Sequence, residues 1–123
     1  HREIAGLKNL KELVIFGNYM SSPIPTELGE LKQLQIIDMY ANNLKGQIPT
    51  ELGRLKQLQY VDLHDNDLTG SVPEEICRLP NLKVLITDCL GPKAEVACDC
   101  CTVCCRGLPD MKCVDVETGK TIS

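Results

Sequence analysis

The chain has no tryptophan, one phenylalanine and three tyrosines in 123 residues, so whatever core it forms is aliphatic. Basic residues are also short: 13 Lys and Arg stand against 17 Asp and Glu, a net charge of -4. That balance excludes a nucleic-acid binder, which needs a basic stripe to neutralise phosphates. No apolar run is long enough to cross a bilayer, and no lipidation motif or charge run suits a membrane surface, so no membrane span is expected in this segment. No N-x-S/T sequon is present, which removes the usual glycan mark of secretion. Cysteine is missing from the first 76 residues.

What the sequence has is a period. Leu7, Leu31, Leu55 and Leu79 lie 24 residues apart, and the second and third segments read LKQLQIIDMYANNLKGQIPTELGR and LKQLQYVDLHDNDLTGSVPEEICR. The first segment keeps the skeleton with Met20 and Ser22 as substitutes, and the fourth leaves it at Asp88. A fixed period of this size marks a solenoid, whose function lies on a surface. Leu31, Leu34, Ile37, Met39, Leu44, Ile48 and Leu52 are too widely spread for one helix face. They fit the inward side of a flat coil that buries them by stacking on its neighbours. Ile37-Asp38-Met39 alternates with period two, and matched stretches predict parallel strands near 12–16, 36–40, 60–64 and 84–87. Asn18, Asn42 and Asn66 recur at one bend, where an amide satisfies unpaired backbone groups. Pro25, Pro49 and Pro73, with Gly46 and Gly70, fix the return path.

The pattern LxxLxxLxLxxNxLxGxIPxELGxL resembles the plant-type leucine-rich repeat of receptor-kinase ectodomains and secreted inhibitors, over residues 1 to about 90. The tail DCLGPKAEVACDCCTVCC resembles the cysteine-rich end of secreted leucine-rich-repeat proteins of diatoms and related algae. The resemblance implies an α/β solenoid, a right-handed coil with a short parallel concave sheet and a disulfide-rich C-terminal cap. The expected division is repeats over 1–88, with a partial repeat at 1–6, and a cap over 89–123. Glu3-Ile4-Ala5-Gly6 occupies the register of Glu27-Leu28-Gly29-Glu30, so the chain is expected to be the C-terminal piece of a longer array.

All eight cysteines, Cys77, Cys89, Cys98, Cys100, Cys101, Cys104, Cys105 and Cys113, lie at or after position 77. An even number in a short segment poor in large apolar residues is what a disulfide-stapled cap needs. Cys77 takes the register of Gly53, on the return side, where it would tie the tail to the coil. Four bridges allow 105 pairings, among which sequence does not choose, although bonds between adjacent cysteines are disfavoured. The rival is a zinc site on Cys98-x-x-Cys101 or Cys101-x-x-Cys104; disulfides are preferred, because repeats of this type are secreted, and no metal or cofactor is expected.

The outward residues of successive strands align as Glu12, Ile36, Tyr60, Val84; as Val14, Asp38, Asp62, Ile86; as Phe16, Tyr40, His64, Asp88; and as Gly17, Ala41, Asp65. Phe16, Tyr40 and Tyr60 thus fall on one face and Tyr19 just beyond it, which suits recognition better than mutual cover of neighbouring rings. Asp38, Asp62, Asp65, Asp67 and Asp88 make that face acidic, with a solvated surface preferred over a calcium site. His64 beside Asp62 and Asp88 is a candidate pH-sensitive contact. No second base or nucleophile completes a catalytic set, so the chain reads as non-enzymatic.

Two functional classes follow. One is an extracellular module, secreted or at the cell surface in a parent protein, that binds a peptide, protein or glycan through Phe16, Tyr40, Tyr60 and His64 with Asp38, Asp62, Asp65 and Asp88. The other is a structural element of cell wall, matrix or filament that self-associates through its repeat surfaces.

Overall fold

A computed structural model describes residues 7–15, 17, 21–107 and 110–122. Strands β1 (Glu12–Val14), β2 (Ile36–Asp38), β4 (Tyr60–Asp62) and β6 (Val84–Thr87) pair in parallel, each residue opposite the one 24 positions on. The expected strands are therefore present, the first three ending two residues earlier than the alternation suggested and the fourth spanning 84–87 as expected. Their parallel course follows from identical units running in one direction. Hydrogen bonding continues past the strand ends, from Met39 N to Asp62 O at 2.9 Å and from Leu63 N to Ile86 O at 2.9 Å.

The seven inward residues of the second unit are all at most 3 % exposed, so the stacked coils share one aliphatic core. On the return side each proline leads into a short helical segment: Thr26–Glu30 after Pro25, Thr50–Arg54 after Pro49, and one α-helical turn at Glu74–Cys77 after Pro73. The proline ring fixes φ at the entry to each segment. Here the coils approach so closely that a Cβ added at Gly29 would lie 2.7 Å from Glu51 O, and one at Gly53 would lie 2.5 Å from Glu75 Cβ. Cys77 takes the same register where no further repeat follows, and its side chain bonds to Cys100.

The return path also holds a second parallel sheet, of β3 (Lys45–Gln47), β5 (Asp67–Ser71) and β7 (Val96–Ala97), that the alternation did not announce. Both sheets run on into the tail. β8 (Val103–Arg106) adds in parallel to β6, and β9 (Lys112–Asp115) closes the main sheet as an antiparallel partner of β8. Four disulfides staple this end: Cys77–Cys100, Cys89–Cys104, Cys98–Cys101 and Cys105–Cys113. Cys77–Cys100 joins the tail to the last full repeat, Cys89–Cys104 ties the start of the tail to β8, none links adjacent cysteines, and Cys98-x-x-Cys101 is a disulfide. The partial repeat at 1–6 lies outside the described residues, as do Phe16, Asn18 and Tyr19.

Candidate functional site

At the bend after each main strand an asparagine does the backbone accounting. Asn42 Nδ2 donates to Ile15 O, Met39 O and Tyr40 O at 2.6, 2.8 and 3.1 Å. Asn66 Nδ2 donates to Met39 O, Leu63 O and His64 O, while its Oδ1 accepts from Asn42 N and Leu44 N, each at 3.0 Å. Every amide thus serves its own coil and the one before it. Buried polar groups so satisfied hold the bend in one conformation. Asp88 ends this ladder: it is 7 % exposed, and its two carboxylate oxygens accept from Asp65 N at 2.9 Å and Asn66 N at 3.2 Å. Burial pushes its carboxyl above the usual carboxylate range against those two bonds.

The ladder places the aromatic residues. Tyr40 and His64 lie immediately beyond β2 and β4, and their rings stack at 5.2 Å between centroids with planes 8° apart. Asp62 Oδ1 accepts from His64 Nδ1 at 2.5 Å and from the His64 backbone N–H at 3.1 Å. That hydrogen bond is the chief reason the imidazole titrates above its ordinary value; burial opposes it, and the charges of Asp62, Asp88 and Asp65 add to it. Asp38 lies opposite Asp62 in the sheet, and burial, reinforced by the Asp62 charge, raises its carboxyl. Tyr60 stands one row away, opposite Ile36 and Val84, with its phenol raised by burial and then by Asp62 and Asp38.

Tyr40, His64, Tyr60 and Asp38 are therefore half-buried on one face, and Asp62, 5 % exposed, buttresses His64 from beneath. Asp65 is placed differently from the expectation. The column Gly17, Ala41, Asp65 is a left-handed turn, with φ of 71°, 60° and 58°, and not a further strand position. The chain must turn there to bring the asparagine inward. Asp67 opens β5 in the second sheet, while Asp88 is consumed by the ladder. Phe16 lies outside the described residues.

Sequence reasoning missed the contribution of the tail. A cleft of about 270 Å³ separates His64, Asp65 and Asp88 from Arg106, Gly107, Met111, Lys112 and Cys113. The signal was present in two short runs, Val103–Arg106 and Lys112–Asp115, flanking a segment with Gly107 and Pro109, which is a hairpin pattern. Glu95 likewise joins the acidic rim, its carboxyl raised by burial and by Asp88 and Asp67.

The family model described as Leucine Rich Repeat matches residues 9–31, 33–55 and 57–79, more than half the chain. The chain belongs to the leucine-rich repeat family. A solved structure with a similar fold is the leucine-rich-repeat ectodomain of the receptor kinase GASSHO1/SCHENGEN3 from Arabidopsis thaliana, in complex with CASPARIAN STRIP INTEGRITY FACTOR 2. It is 33% identical over 80% of this chain and 11% of that one, with a TM-score of 0.68. The ectodomain of the Arabidopsis receptor kinase HAESA, in complex with an extended IDA peptide hormone, is 40% identical over 64% of this chain and 13% of that one, with a TM-score of 0.61. A plant ice-binding protein is 30% identical over 69% of this chain and 28% of that one, also with a TM-score of 0.61. This leucine-rich repeat chain thus spans about a tenth of the length of the receptor ectodomains it resembles. Among curated proteins nothing matches it.

Proposed function

We propose that this leucine-rich repeat chain is an extracellular, non-enzymatic recognition module that binds a peptide or protein through the concave face of its main sheet, as part of a longer receptor-like or secreted protein. The observation that carries this reading is the Tyr40–His64 stack, buttressed by Asp62 on a face where Tyr60 and Asp38 are also partly exposed. The inward positions that stabilise the coil are aliphatic, so aromatic rings on this face are available for contact. A ring pair fixed before binding loses little freedom on contact, which favours affinity.

The fold alone does not decide the matter, since one neighbour of similar fold binds ice while GASSHO1/SCHENGEN3 and HAESA hold peptide or protein factors. The side chains favour the second kind. The exposed residues of β3 and β5 are a mixed set of Lys45, Gln47, Asp67, Thr69 and Ser71, whereas the rings and carboxylates gather on the main sheet. Four disulfides and the absence, among the described residues, of a helix able to cross a membrane agree with an extracellular site.

The test is selection of a random peptide display library on the wild-type chain, followed by binding to Tyr40→Ala and Lys45→Ala. Truncating a central anchor commonly costs about 2 kcal/mol, roughly 30-fold in affinity. Recovered peptides should lose that much on Tyr40→Ala and nothing on Lys45→Ala, with both variants as stable as wild type. Peptides that bind Tyr40→Ala unchanged and lose affinity on Lys45→Ala would move the site to the second sheet.

A further inference from the structure

Beside the stacked rings, His64, which belongs to the recognition face, meets two cysteines of the cap that the recognition face does not use. An imidazole nitrogen of His64 and the sulfurs of Cys105 and Cys113 all lie within 4.8 Å of one another. The two cysteines stand directly opposite each other on the antiparallel strands β8 and β9. Their Cα atoms are 4.0 Å apart, against 4.7 to 5.7 Å in the other three disulfides. The usual separation is about 4.4–6.8 Å, and departures from it make a bridge more reducible. Cys113 lines the 270 Å³ cleft, where a small thiol reaches it, while Cys105 is 1 % exposed.

We propose that Cys105–Cys113 is a redox-cleavable bridge whose reduction by a dithiol creates, with His64, a binding site for Zn²⁺ where the cap meets the concave face. The dithiol attacks the Cys113 sulfur, Cys105 departs as a thiolate, and the second thiol of the reductant closes its own disulfide and releases Cys113. Two electrons and two protons pass to the cysteines, and the reductant is oxidised to a cyclic disulfide. Zn²⁺ then displaces both thiol protons and takes two sulfurs and one imidazole nitrogen, a soft ligand set that suits this ion.

The surroundings are arranged for that set. Asp62 holds His64 Nδ1, which leaves Nε2 as the nitrogen for a metal, and a carboxylate behind a ligating histidine fixes its tautomer and orientation. Arg106 and Lys112 line the cleft and favour the thiolates that reduction releases, while Asp65 and Asp88 on the other wall favour the incoming cation. At Zn–S lengths of about 2.3 Å tetrahedral thiolates stand roughly 3.7 Å apart, so the freed sulfurs must separate by less than 2 Å. The fourth position opens on the cleft and takes water.

The test has two stages on the full chain. Dithiothreitol is titrated in under native conditions, and differential alkylation with peptide mapping identifies the thiols in order of appearance. Cys105 and Cys113 should be labelled at least tenfold faster than the other six cysteines; opening of another bridge first, or of all four together, overturns the proposal. Protein reduced to that stage and freed of reductant is then titrated with Co²⁺ and Zn²⁺. One equivalent of Co²⁺ should give a thiolate charge-transfer band that Zn²⁺ abolishes. His64→Gln should weaken Zn²⁺ binding at least tenfold with the order of reduction unchanged, and Cys105→Ser/Cys113→Ser should eliminate it. His64→Gln protein that binds Zn²⁺ as tightly as wild type overturns the site, whether or not the double serine variant folds.

Discussion

Replacing Gly53 by alanine puts one methyl group where two coils meet. The new Cβ would lie 2.5 Å from Glu75 Cβ and 3.1 Å from the Glu75 backbone C and O. Ordinary carbon contacts are about 3.5–4.0 Å, so the overlap is about 1 Å. The atoms it meets belong to or adjoin the backbone, and no side-chain rotation removes them. Overpacking of this kind costs about 1–3 kcal/mol. The lost freedom of the unfolded glycine returns about 0.4–1 kcal/mol. A net destabilisation of about 1–2 kcal/mol is expected, a fall in Tm of roughly 3–10 °C for a chain of this size. Urea unfolding with the disulfides intact measures it. Gly107→Ala, whose Cβ meets nothing within 4 Å, serves as control and should stay within about 0.5 kcal/mol of wild type. Wild-type stability for Gly53→Ala would mean that the return-side coils are not in contact, and the reasoning about coil spacing would fall with it.

Other perturbations test other parts of the coil. Asn66→Ala removes the acceptor of the Asn42 and Leu44 N–H groups and the donor to Leu63 O, while Met39 O keeps Asn42 Nδ2 and His64 O keeps the Ala41 N–H, and should cost about 2–3 kcal/mol or more, measured by the same unfolding assay. Ala41 holds φ of 60°, which costs a side-chain-bearing residue about 1–2 kcal/mol, so Ala41→Gly should raise stability by up to about 1 kcal/mol after glycine's own entropy is counted. His64 has a folded pKa above its ordinary value, chiefly through Asp62. Its contribution to stability is therefore full below about pH 6.5, the unfolded value, and is lost as pH rises through the folded one. Wild-type stability should fall across that window relative to His64→Gln, and parallel curves for the two proteins would contradict the assignment.

The main sheet was legible because its signal is a repetition. Leu31, Leu34, Ile37 and Met39 recur in the next unit, and identical units in one direction stack in parallel. The second sheet was not legible, because Lys45-Gly46-Gln47 and Thr69-Gly70-Ser71 show no alternation of apolar and polar residues. Those strands pair because stacking of the main sheet brings them side by side. The left-handed turn was hidden in the same way: Gly17 advertises it, but Ala41 and Asp65 do not, and their positive φ is imposed by the asparagine ladder that follows. Asp88 read as a surface carboxylate because sequence could not show that the ladder ends on it. Cys77 was readable as a tie to the tail from its register with Gly53, while its choice of Cys100 depends on where the tail runs. The β8–β9 hairpin was signalled by its two short runs, but the cleft beside His64 also needed that hairpin to pack beside the last repeats, a long-range arrangement that no local pattern in the chain encodes.

The central claim is that recognition runs through the concave face, and amide hydrogen exchange of the chain with and without a library-selected peptide tests it most directly. The account predicts added protection at β2 and β4 and in the bend from Tyr40 to Asn42, with β3 and β5 unchanged. Protection confined to Lys45–Gln47 and Asp67–Ser71 would contradict it and place recognition on the second sheet.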